Sequence, residues 1–167
     1  LYAIRDVTAT VESLPLITAS ILSKKVSAGV THVVVDLPYG QSAKLKTERQ
    51  AVETAELLRG VGVALGLVVE AYPSPGDQPI GRGIGPALEV QDVVAVLEGR
   101  ADAPADLRDK ALTFASRILR WAPGISSEAA ARSRAEKLLS SGKAKLAFDR
   151  IIDAQIREIA EKKMPDL

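Results

Sequence analysis

Four side chains with complementary chemistry fall within the run LYAIRDVTATVESLPLITASILSKK: the guanidinium of Arg5, the carboxyl of Glu12, the hydroxyl of Ser20 and the ammonium of Lys24. Ser20 and Lys24 are four residues apart, one helical turn above the other, where both can reach a single ligand. Arg5 and Glu12 lie in the approach to that turn, and a bend there brings them to the same cleft. Together they offer positive charge, hydrogen-bond donors and one acid in one short run. A plain structural role fits the same residues. Lys24 and Lys25 complement a helix C-terminus, Ser20 is solvated, and Arg5 and Asp6 form a surface ion pair.

Two other segments have chemical potential. PYGQSAKLKT, from Pro38 to Thr47, gathers Gly40, Ser42, Lys44 and Lys46. Glycine permits close backbone approach and lysine supplies charge, so the loop suits a phosphate ester; a solvated polar loop is the other reading. PSPGDQPIGRGIG, from Pro73 to Gly85, has glycines at alternate positions around Arg82. It lacks the complete strand–turn–helix setting and the acidic partner of a dinucleotide fingerprint, so dinucleotide binding is not expected. His32 is the sole histidine and has no second ligand or nucleophile near it in sequence.

The elements that must position these groups read as an alternation of helices and strands. Ser13-Leu14-Pro15 is a helix start, with a hydroxyl residue at the cap and proline in the first turn, and Gly29 is the stop. Leu14, Ile17, Ile21 and Leu22 make its apolar stripe. Thr31–Leu37 is a β-branched strand buried on both faces. Glu48–Arg59 is a helix with Val52, Ala55, Leu57 and Leu58 inside, ending near Gly60 and Gly62, and Val63–Tyr72 is a second strand. Pro86 opens a helix with Leu88, Val93, Val94 and Leu97 as core candidates. Helices follow over Pro104–Trp121, with Leu107, Leu112, Phe114, Ile118 and Leu119 packing, from a cap at Ser126 to Gly142, and over Ala144–Lys163. Helix, strand, helix, strand is the grammar of a parallel sheet with crossover helices.

Composition narrows the partners. The 167 residues include 22 basic and 21 acidic ones, for a net charge of +1, with no block of like charge to track a phosphate backbone. One Trp, three Tyr and two Phe are too few for base-stacking platforms. Nucleic acid is therefore not an expected partner. The absence of cysteine excludes disulfides and thiolate metal sites. With no long apolar run, no membrane partner is expected, and a cytoplasmic protein is the default.

The segment LYAIRDVTATVESLPLITASILSKK resembles the signature of the thymidine and pyrimidine-nucleoside phosphorylase family. The resemblance continues through VVVDLPYGQSAKLKT, through QPIGRGIGPALEVQDV in variant form, and through SSGKAKLAFDRIIDAQ. The later motifs are most similar to the archaeal AMP phosphorylase branch. The resemblance implies an α/β fold, with a parallel or mixed sheet and flanking helices plus one segment of a small all-helical lobe. Residues 1–28 are expected in the helical lobe and 29–167 in the α/β lobe. It implies phosphorolysis of a nucleoside 5′-monophosphate (AMP, CMP or UMP) by inorganic phosphate, giving free base and ribose 1,5-bisphosphate.

Under the resemblance, Arg5, Ser20 and Lys24 contact the base, and Glu12, where the family pattern has aspartate, is the proton donor. Arg5 and Lys24 share the catalytic role with Glu12. Lys44 matches the lysine of the monophosphate-cleaving branch, and Ile80, Gly83 and Asp92 match positions that hold a monovalent cation. Inorganic phosphate is the co-substrate and no other cofactor is implied. The phosphate-binding region is expected upstream of Leu1, so the chain reads as a central fragment, inactive alone, of a homo-oligomeric enzyme. Three alternatives stand beside this: a thymidine or pyrimidine nucleoside phosphorylase, a phosphoribosyltransferase of similar fold, and a non-catalytic interaction module.

Overall fold

A computed structural model describes Val7 and residues 13–163. Those residues form an α/β structure in the order α1 (Leu14–Ser27), β1 (His32–Tyr39), α2 (Glu48–Ala64), β2 (Val68–Pro75), α3 (Pro86–Leu97), α4 (Ala105–Leu119), α5 (Glu128–Ser140) and α6 (Lys143–Lys163). The chain divides into two compact units that part between Gln78 and Pro79. The lobe boundary anticipated from the resemblance, between residues 28 and 29, falls within the first of these units.

In the first unit β1 and β2 pair in parallel, from His32 opposite Val68 to Tyr39 opposite Pro75. A parallel pair needs a crossover, and α2 supplies it, packing on both strands. The core consists of Leu22 from α1, Leu37 from β1, Leu45, then Ala51, Ala55 and Leu58 from α2, with Leu67 and Ala71. Leu22 and Leu58 are fully buried. So α1 is anchored by its Leu14–Leu22 stripe into the same core as the sheet, and its remaining faces are left for other contacts.

Helix α2 is longer than its glycines suggest. It runs through Gly60 and Gly62 to Ala64, and β2 begins at Val68 rather than Val63. The turn that follows instead uses Gly66, at φ +73°. Gly62 serves a different need. A Cβ there would stand 2.3 Å from Val69 Cγ2, so the missing side chain is what lets the helix lie this close to β2. Close approach also explains why the buried face of α2 is Ala51, Thr54, Ala55 and Leu58, whereas Val52 is exposed. Thr47 caps the helix, accepting from the Gln50 N–H at 3.3 Å.

The second unit is helical among its described residues. Helix α4 packs on α3 and α5, and α6 on α3 and α5. The buried residues within its helices are Asp92, Ala95 and Val96 of α3, Leu112 and Ser116 of α4, and Ala131 and Ala135 of α5. Leu88 and Ile118, expected in the core, are about half exposed, at 51% and 55%. In α3 the inward face is set by Asp92, which the loop before the helix engages. No described helix is long and apolar enough to cross a membrane.

Candidate functional site

Ser20 and Lys24 both lie on α1. At about 100° per residue, Ile17, Ser20 and Lys24 fall within an arc of about 60° on that helix, on the side away from Leu22. Ser20 is half-buried and Lys24 exposed. The two residues therefore share one face of the helix. Arg5 and Glu12 lie outside the described residues.

The parallel register brings the C-terminal ends of β1 and β2 together, so the loops that leave them are neighbours. This is where ligands meet parallel sheets. The first loop, Gly40–Lys46, is closed by the Gly40 N–H donating to the Leu45 carbonyl at 2.9 Å and the Ala43 N–H to the Gly40 carbonyl at 3.0 Å. The second loop is tied to it by the Gly76 N–H, which donates to the Tyr39 carbonyl at 2.7 Å. One step inward, Ser74 Oγ donates to Asp36 Oδ1 at 2.6 Å across the strand pair.

Lys44 is exposed on the first loop. It borders a cavity of about 200 Å³ together with Ile17 of α1, Leu37, Pro38, Ala43, Leu45 and Thr54. Ile17 is the residue that α1 contributes to this cavity, whose wall is apolar. His32 sits at the opposite, N-terminal end of β1, with Nδ1 2.9 Å from Thr31 Oγ1. Its place is eight residues along an extended strand from the loop.

Of Ile80, Gly83 and Asp92, the structure brings Gly83 and Asp92 together in the second unit, at the glycine loop before α3. Asp92 is 8% exposed. Its Oδ2 accepts from the backbone N–H groups of Arg82 at 2.6 Å and Gly83 at 2.7 Å. Arg82 Nε lies 3.9 Å from Oδ1. The Gly83 amide foremost, then that of Arg82, hold the Asp92 carboxyl below the usual carboxylate range.

Next to it, Asp106 Oδ2 accepts from the Gly81 N–H at 2.9 Å, and that contact likewise lowers its pKa. Gly83 therefore turns an N–H, not a carbonyl, to Asp92, and an internal cation already faces the carboxylate. In this arrangement Asp92 latches the glycine loop that precedes α3. Among the described residues no group of three or more His, Cys, Asp or Glu side chains could hold a metal ion. A neighbouring cavity of about 490 Å³ includes Arg82, Arg100 and Asp102. Asp102 engages both arginines: its carboxylate accepts from Arg100 at 2.9 and 3.0 Å, and its carbonyl from Arg82.

Sequence reasoning missed Asp77. Its Oδ1 accepts the Gln41 N–H at 2.9 Å, linking the two strand-end loops. The available signal was an acidic residue just after the second strand, at the level where the first strand gives way to glycine.

Comparison with known proteins gives the setting. Residues 1–145 match the family described as the glycosyl transferase family, a/b domain. A bifunctional ribose 1,5-bisphosphokinase-thymidine phosphorylase of Azorhizobium caulinodans is 58% identical over 139 residues, which is 83% of this chain and 20% of that protein. A protein of the same name from Cupriavidus necator is 56% identical over 137 residues, 82% of this chain and 23% of that protein. A putative thymidine phosphorylase of Hahella chejuensis is 50% identical over 137 residues, 82% of this chain and 27% of that protein. The chain thus spans about a fifth to a quarter of the length of these relatives. The resemblance to the thymidine and pyrimidine-nucleoside phosphorylases is borne out, while the names carried by these relatives favour the nucleoside alternative over the AMP-cleaving branch.

Proposed function

The chain belongs to the glycosyl transferase family through its a/b domain, and on that premise we propose that the protein containing it is a nucleoside phosphorylase of the thymidine phosphorylase type. Inorganic phosphate bonds to C1′ of the pentose as the C1′–N bond to the base breaks. The base leaves with the bonding electrons and takes up a proton. Positive charge develops on the sugar and negative charge on the base, so fixed donors beside the base stabilise the transition state more than the ground state. Arg5, Ser20 and Lys24 fill that role. Glu12 gives the proton, which at neutral pH requires burial to raise its pKa. The phosphate-binding region is supplied elsewhere in the full-length protein.

The observation that carries this reading is the common arc of Ser20 and Lys24 on a helix whose opposite side is anchored by Leu22, within the residues that match the family. Full-length protein given phosphate with thymidine or uridine is expected to release free base. Release from neither these nor any nucleotide would refute the assignment.

A second reading, cleavage of nucleoside 5′-monophosphates, is favoured by two particular observations. Lys44 stands exposed on the strand-end loop, where a solvent-facing ammonium suits a 5′-phosphate. The names of two relatives also pair the phosphorylase with a ribose 1,5-bisphosphokinase. Phosphate attack on C1′ of a ribonucleoside 5′-monophosphate yields ribose 1,5-bisphosphate, the compound in that name, whereas thymidine yields a deoxyribose 1-phosphate. The discriminating measurement is kcat/KM for UMP against uridine, in wild type and Lys44→Ala. On this reading Lys44→Ala lowers the UMP value ~10- to 100-fold, as expected for loss of a charge-assisted hydrogen bond, and leaves uridine within about twofold.

A further inference from the structure

The two glycine-containing loops at the strand ends are joined by more than the strand pairing requires. Gly40 is buried, at φ +153°, a conformation that disfavours any residue with a side chain. A Cβ on Gly40 would lie 2.2 Å from Asp77 Oδ1 and 2.7 Å from Asp77 Cγ, so the Asp77 carboxyl occupies the space beside that bare backbone. From there Oδ1 accepts the Gln41 N–H at 2.9 Å. The other side of the same residue is also held: Lys46 Nζ donates to the Gln41 carbonyl at 3.2 Å. Gly76, next to Asp77, approaches Pro38 so closely that a Cβ on it would stand 2.8 Å from Pro38 Cβ. The second loop is thus seated against the first at Pro38 and Gly40. Three residues beyond Gln41, the first loop presents Lys44.

We propose that Asp77 is a positioning residue for the phosphorolysis site: by filling the space beside Gly40 and accepting the Gln41 N–H, it fixes the turn that holds Lys44 at the cavity bordered by Ile17. Asp77 touches no substrate in this account and acts through the loop. The inference rests on the reading in which Lys44 meets the 5′-phosphate of a nucleoside monophosphate. It accounts for a carboxylate turned toward the backbone of the neighbouring loop. It also explains why glycine is needed at two positions on facing loops at once.

The test is a double-mutant cycle in the full-length protein with UMP and phosphate. Asp77→Ala is expected to raise KM for UMP about tenfold, with kcat and KM for phosphate within about twofold, as loss of one hydrogen bond to a charged acceptor predicts. Asp77→Asn, which retains an acceptor oxygen, is expected to restore KM to near wild type. Asp77→Ala in the Lys44→Ala background should add nothing, because the two act through one contact.

In the wild-type protein, which needs no variant to fold, the Gln41 amide should exchange at least about tenfold more slowly than that of Ser42. If Lys44→Ala impairs UMP binding but the two effects multiply, or Asp77→Asn is as damaging as Asp77→Ala, the positioning role of Asp77 is overturned alone. If Lys44→Ala leaves KM for UMP unchanged, the monophosphate reading falls and takes the inference with it. An unprotected Gln41 amide overturns the clamp whatever the kinetics show.

Discussion

Two glycines of α2, only two residues apart, should respond to the same substitution with opposite signs. A Cβ added to Gly60 would meet nothing within 4 Å, while one added to Gly62 would stand 2.3 Å from Val69 Cγ2 and 3.2 Å from Val69 Cβ. Alanine in a helix interior is favoured over glycine by about 1 kcal/mol, so Gly60→Ala should stabilise by about that amount. At Gly62 the same gain is opposed by an overlap of more than ~1 Å against an ordinary carbon–carbon contact of about 3.5–4.0 Å. Overpacking of this kind costs about 1–3 kcal/mol, which leaves Gly62→Ala destabilised by roughly 0–2 kcal/mol and below Gly60→Ala by roughly 1–3 kcal/mol. The assay is denaturant unfolding of the full-length variants, followed by a signal from this unit. Gly62→Ala combined with Val69→Ala should recover part of the overpacking penalty, since it removes the methyl groups that collide. A Gly62→Ala protein as stable as Gly60→Ala would refute the claim that glycine is there to seat the helix against β2.

Two other outcomes follow from the same contacts. Leu58 is fully buried between α2 and the strands, and Leu58→Ala should cost about 2–5 kcal/mol in unfolding free energy; a loss below about 1 kcal/mol would mean that the α2–sheet core is not packed as described. The Asp92 carboxyl is held below the ordinary range by the Gly83 and Arg82 amides, so its contribution is fully present above the unfolded-state value near 4 and is lost as pH falls through the lower folded-state value. Asp92→Asn should therefore flatten the acid limb of stability for the second unit, measured by hydrogen exchange of α3 against pH, and an unchanged acid limb would remove Asp92 from the latch.

Much of this architecture is legible in the chain, and the departures from it share a cause. The Ser13-Leu14-Pro15 start, the stripe ending at Leu22, the β-branched strand around Val33–Val35 and the proline opening α3 are local signals, and each has its expected place. Gly60 and Gly62 signal a helix end because glycine is ordinarily a weak helix former. One lies on an exposed face and the other permits a close helix–strand contact, and neither purpose is local. In the same way large apolar residues draw attention to Val52 and Leu88, whereas the faces turned inward are built from Ala51, Thr54 and Ala55 in α2 and from Asp92 and Ala95 in α3. Small residues mark close interfaces that hydrophobic size cannot reveal. For the candidate site, the spacing of Ser20 and Lys24 suffices to place them on one arc, but Asp77 depends on the meeting of two loops 36 residues apart in sequence.

That meeting is a consequence of register. Because His32 pairs with Val68 and the match runs unbroken to Tyr39 and Pro75, β1 and β2 finish at the same level, and the loops leaving them must share one edge. A slip of one residue would move Asp77 away from Gly40 and also reverse which strand side chains face α2. The core that holds the register, with Leu37, Ala71 and Leu58 in one buried cluster, is therefore the same core that determines where Lys44 is presented. Since Leu22 of α1 enters this core as well, the helix carrying Ser20 and Lys24 and the loop carrying Lys44 are referenced to one rigid centre. The spacing between that helix and that loop is thus set by packing rather than by loop flexibility, which is what the proposed function asks of fixed donors.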